Sequence, residues 1–194
     1  MSKQISPNQI FRADGKNVFI EVMNSAFSIG HVLINFIEYG QDNKQTKKIP
    51  IYIGIPEFLA MAQDMKSGKM GVYQQKHKDD QYPYPIPEYS LLGGVSVEKL
   101  KKKGAERADG KALSRQFKIV VGKKFIFQAE IGPGHENEKG LIVPEYKTNT
   151  AEMVVKVPMD AKMLKEMFLI TEMHIQAFIT RGYINGKYDY KPTT

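Results

Sequence analysis

Apolar and polar positions alternate at strand period in two separate series, and each series closes on a helix-period stripe. In the first half the runs at 18–23, 31–39 and 47–54 read as strands, separated by the turn-rich stretches Asn24–Gly30 and Gly40–Thr46. Pro56 then opens a helix to about Lys66, with Phe58, Leu59, Ala62 and Met65 on one stripe and Gly68 as its stop. In the second half strands are predicted near 117–121, 125–131 and 153–157, with the loop Gly132–Gly140 and an extended piece, Leu141–Tyr146, between them. A last helix from Pro158 to about Thr180 carries Leu164, Met167, Phe168, Thr171, Ile175 and Phe178 on a wide apolar face.

The pentapeptide Arg-Ala-Asp-Gly-Lys occurs twice, at 12–16 and 107–111, and strands ending in a proline-started helix follow each copy. Order and helix start agree between the copies, and the extra residues of the second copy fall in its loops, where a repeat tolerates them. The predicted class is α+β, with two pseudo-repeated units of antiparallel sheet plus helix, packed about their helices. The units span 1–70 and 97–182. Residues 1–17 read as a polar lead-in and 183–194 as a flexible tail. Residues 71–96 read as a Pro/Tyr-rich linker, because Gln74–Gln81 is polar throughout and Tyr82–Tyr89 holds three prolines, each denying a donor to a sheet. A short helix over Val97–Lys103, capped by Ser96, leads into the second unit.

Composition sharpens this picture. With 194 residues, 42% of them hydrophobic, and ten each of Phe and Tyr, the chain buries a sizeable core. No signal segment and no apolar run of about 20 residues is present, so a cytoplasmic protein with no membrane contact is expected. The absence of cysteine excludes disulfides and thiolate chemistry. A net charge of +7 points to a polyanionic partner, and the lysines are spread along the chain rather than gathered in a basic tail.

Catalytic and cofactor patterns are missing. His31, His77, His135 and His174 show no spacing that sets two metal ligands on one face, so neither a metal nor a cofactor is expected. Gly132-Pro-Gly134 lacks the third glycine and the following helix of a dinucleotide turn, and no nucleophile motif surrounds a serine. The chain is not expected to be an enzyme.

Strand alternation instead offers faces. Phe117, Ile119, Val121, Phe125, Phe127, Ala129, Met153, Val155 and Val157 fall on the inner side, beneath the helix. Lys118, Lys124, Gln128 and Lys156 fall on the outer side, and Arg115 adds a cation to the same unit. In the first unit the outer residues are Phe19, Glu21, Lys48 and Tyr52. Cations for phosphates, rings for bases and an amide for base edges are the groups that a single strand requires. The sites expected to bind nucleic acid are therefore Phe19, Lys48, Tyr52, Arg115, Lys118, Lys124, Gln128 and Lys156, with single-stranded DNA favoured over RNA. The alternative is a protein–protein adaptor or assembly subunit using the Pro/Tyr segment and the methionine-rich last helix.

A duplicated unit of antiparallel strands and a helix, in a basic chain of this length, resembles the Whirly proteins and the related PC4 coactivator group. The resemblance covers about residues 10–180. It implies four strands in each unit, paired helices at the centre, outward sheets that bind single-stranded DNA, and assembly into homo-oligomers. A pair of OB-type barrels is the alternative architecture, but a long helix after each sheet favours the first.

Overall fold

Alternating strands build two antiparallel sheets, each followed in the chain by a helix. The computed structural model describes residues 6–42, 44–147 and 150–186. The first sheet is a meander in the order β1 (Gln9–Asp14), β2 (Val18–Met23), β3 (His31–Tyr39) and β4 (Gln45–Gly54), with α1 (Ile55–Lys66) and α2 (Lys69–His77) after it. The second sheet runs β5 (Tyr84–Val95), β6 (Ala112–Val121) and β7 (Phe125–Glu136), with α3 (Val97–Lys102) between its first two strands. Beyond β7, β9 (Met153–Met159) pairs with residues 125–131 and β8 (Ile142–Pro144) with residues 134–136; α4 (Ala161–Ile184) closes the chain. The fold is α+β, and the first sheet is open rather than closed into a barrel.

Three segments differ from the sequence reading. Part of the polar lead-in forms β1, whose Phe11 and Ala13 meet the core while Arg12 and Asp14 face out. The stretch read as a linker carries α2 and the edge strand β5. Its prolines are tolerated because β5 pairs on one side only and its register breaks between Pro85 and Ser90. Ile86 and Tyr89 bury their side chains there, and the Tyr89 hydroxyl donates to Asp64 of α1 at 2.7 Å. Pro158 belongs to β9, not to the last helix: Asp160 is the N-cap, accepting the Met163 N–H at 2.8 Å, and the helix continues to Ile184. Residues 187–194 of the expected tail lie outside the described residues.

The inner faces share one core. Phe58 of α1 meets Phe168 of α4 at 5.2 Å between ring centroids, and Lys66 bridges to Glu172 at 2.9 Å, so the two helices pack together. The sheets also touch directly, through Phe36 of β3 and Phe117 of β6 at 6.1 Å. The first pentapeptide spans the end of β1 and the turn into β2, and the second lies between α3 and β6; both form the same local pair, Arg12 to Asp14 at 2.6 Å and Arg107 to Asp109 at 2.7 Å.

Candidate nucleic-acid interface

On the outer face of the first sheet, register sets three rows across the strands: Asp14, Phe19, Ile37 and Lys48; Arg12, Glu21, Asn35 and Pro50; Met23, Leu33 and Tyr52. Lys48 is exposed and Tyr52 is 48% exposed. Phe19 is only 2% exposed. Its ring lies under the Arg12 guanidinium at 3.6 Å and stacks with Tyr39 at 5.4 Å, so its face is already occupied. Parity placed Phe19 on the outer face; the neighbouring β1, which the sequence reading did not include, supplies the cation that covers it.

The second sheet's outer row is Ser90, Lys118, Gln128 and Lys156, which unites three of the expected residues. Two of them are not surface groups. Lys118 is 7% exposed, and its Nζ lies 3.1 Å from Oε1 of Glu130, a residue with no exposure at all. The Gln128 amide donates to the same oxygen. The pair neutralises itself, and Lys118 serves the sheet rather than a phosphate. Lys156 is exposed at the β9 edge, and Lys124 sits in the turn between β6 and β7, outside the row. Tyr82, Pro83 and Pro85 rise beside this row, and with Val120 and Ile126 they make a groove of about 270 Å³. Without β5 as a strand, the sequence could not reveal that wall.

A second cleft, of about 280 Å³, opens between the sheets. It is lined by His31 of β3, Ile51 and Tyr52 of β4, Leu91 to Gly94 of β5, and Arg115 and Phe117 of β6. Arg115 shares parity with Phe117, so it turns from the outer face towards the first sheet. Among the described residues no acidic group pairs with its guanidinium, and its Nε is buried without a hydrogen-bond partner. Burial pushes the pKa of Arg115 down, with Tyr52 nearby acting in the opposite direction. The His31 and Tyr52 rings meet edge to face at 6.4 Å. His31 Nδ1 is 2.7 Å from the Ile29 carbonyl, which accepts its proton and leaves Nε2 as the other ring atom for a ligand.

This cleft gathers Arg115 and Tyr52 from the expected set and adds His31. Nothing in local sequence links His31 to Arg115, since sheet-to-sheet packing alone joins them. The one legible signal was an arginine at core parity between Leu113 and Phe117. Chemically, the cleft offers an uncompensated planar cation beside two flat rings, a fit for a phosphate and a base.

Among the described residues no group of three or more His, Asp or Glu side chains is placed to hold a metal ion, and no described helix is long and apolar enough to cross a membrane. No protein-family model, curated protein or solved structure matches the chain.

Proposed function

We propose that this chain is a non-enzymatic single-stranded nucleic-acid-binding protein, with DNA favoured over RNA, that takes its ligand at the cleft between the sheets and along the outer face of β4. The carrying observation is Arg115. A half-buried guanidinium with no acidic partner among the described residues has lost part of its hydration and gained no counter-charge from them, and a phosphate supplies that charge with bidentate geometry. Tyr52 and His31 stand beside it as stacking surfaces, and Lys48 extends the cationic path along β4. A net charge of +7 favours encounter with a polyanion. A duplex carries its bases paired and stacked, so a site built on exposed rings favours single strands.

The pseudo-repeat belongs to the same proposal. Supporting it are a first sheet of four strands, a helix after each sheet, packing of α1 on α4, and a pentapeptide that ends just before the second strand of each sheet. These features agree with the Whirly and PC4 resemblance. A titration with labelled single- and double-stranded oligonucleotides at two salt concentrations tests the function. Preference for single strands is expected, with affinity falling by a log–log slope of about 0.7 per phosphate contact. An undetectable or salt-independent interaction would favour the adaptor reading.

A further inference from the structure

Leu164, Met167, Phe168, Thr171 and Ile175 bury one face of α4 in the core. A second apolar series runs along the opposite face: Ile170, Met173, Ala177 and Ile184 recur at helical spacing, half a turn away from the buried side. Met173 is 67% and Ile184 78% exposed, and Ile170 and Ala177 are exposed as well. Single apolar side chains on a surface need no partner, but a continuous stripe, here about 21 Å long at the usual helical rise, marks a contact surface. Beside it a groove of about 370 Å³ opens between α4 and the turn after β2, lined by Asn24, Phe27, His174, Ala177, Phe178 and Arg181. The stripe therefore has a flanking slot.

We infer that this face binds a second copy of the chain, α4 against α4, antiparallel about a two-fold axis. The order of residues along the stripe selects that occupant. Glu166 lies four residues before Ile170 and Arg181 four residues after Ala177, so a single antiparallel register sets Ile170 of each copy on Ala177 of the other and Glu166 opposite Arg181. Ala177 is the small residue of the groove and leaves room there for the incoming isoleucine. Met173 lies beside the axis and meets its own counterpart. Arg181 makes no ion pair among the described residues, and Glu166 is held only loosely, by the exposed Lys162 at 3.8 Å, so both charges are available to pair across the axis. The symmetry makes each contact twice. One helix seam and a flanking groove suit an interface at the low end of specific contacts, roughly 1,000–1,200 Å² in total, and therefore a micromolar dimer. The net charge of +7 opposes association, an effect that salt screens.

The test is sedimentation velocity of the full chain, without nucleic acid, from about 1 to 100 μM at about 0.15 M salt, where the Debye length is about 8 Å. The parent should pass from monomer to dimer across that range. Met173→Glu, on an exposed position and checked for folding by circular dichroism, should remain monomeric throughout. Glu166→Arg and Arg181→Glu should each weaken the dimer by about tenfold or more, because each sets like charges across the axis twice. The double reversal Glu166→Arg with Arg181→Glu should restore the dissociation constant to within about threefold of the parent's. A parent that stays monomeric at every concentration would overturn the inference, as would a dimer that survives Met173→Glu. A double reversal as weak as the single ones would overturn the antiparallel register. None of these outcomes depends on nucleic acid, so the binding reading above stands or falls separately.

Discussion

Tyr52 of β4 and Arg115 of β6 belong to different sheets yet line one cleft, and Tyr52 is 48% exposed while the guanidinium is half-buried with no acidic partner among the described residues. The two side chains divide the work of a nucleotide site between a stacking surface and a charge. Tyr52→Ala should therefore weaken single-strand binding by about 1–3 kcal/mol and leave the salt slope unchanged, since stacking releases no counterion. A titration at several salt concentrations checks this. A changed slope with unchanged affinity at low salt would show that Tyr52 does not stack.

Lys118 was expected to contact phosphate, but its partner is the fully buried Glu130. Lys118→Ala strands that carboxylate, and breaking a buried pair from one side costs about 3–5 kcal/mol. Urea denaturation should show a destabilisation of that size, comparable to Phe127→Ala, which opens a cavity between Phe117 and Phe168. A Lys118→Ala protein as stable as the parent would contradict the buried-pair account.

Arg107 joins Asp109 and Glu152 through two hydrogen bonds each. Its side-chain hydrogen bonds hold the Asp109 carboxyl down to about 2 and lower the Glu152 carboxyl below its ordinary value. Depressed folded-state values mean that this contribution is present above about pH 4, where unfolded carboxylates are ionised, and is lost as pH falls from there towards about 2. Stability measured by urea midpoint should fall across that window, and Arg107→Gln should flatten the fall. An identical acid limb in the variant would show that other carboxylates govern it.

The two units should superpose in an experimental structure, residues 12–66 on 107–175, about a pseudo-two-fold axis. Unrelated strand connections in the two halves would remove the duplication from the account.

Much of the framework was legible in the sequence because period and packing agree there. Phe117, Ile119, Val121, Phe125, Phe127, Val155 and Val157 alternate as written and all are buried. Three kinds of information were not legible. Tyr82–Tyr89 reads as a linker by its prolines, yet an edge strand with a register break needs few donors, so tertiary pairing overrides the local signal. Strand parity gives a side chain's direction but not its exposure: Phe19 and Lys118 point outward and are covered by Arg12 and Glu130 respectively. The His31, Tyr52 and Arg115 cleft exists only after two sheets meet, and no spacing within one strand encodes it.

The most direct measurement is the salt-dependent titration of Arg115→Gln against the parent, using one single-stranded oligonucleotide and confirming the fold of both proteins by circular dichroism. The account predicts weaker binding at every salt concentration and a log–log slope reduced by about 0.7, the loss of one phosphate contact. Replacing an uncompensated half-buried cation should not lower stability. A folded variant that binds with the parent's affinity and slope would contradict the central claim that Arg115 anchors a phosphate.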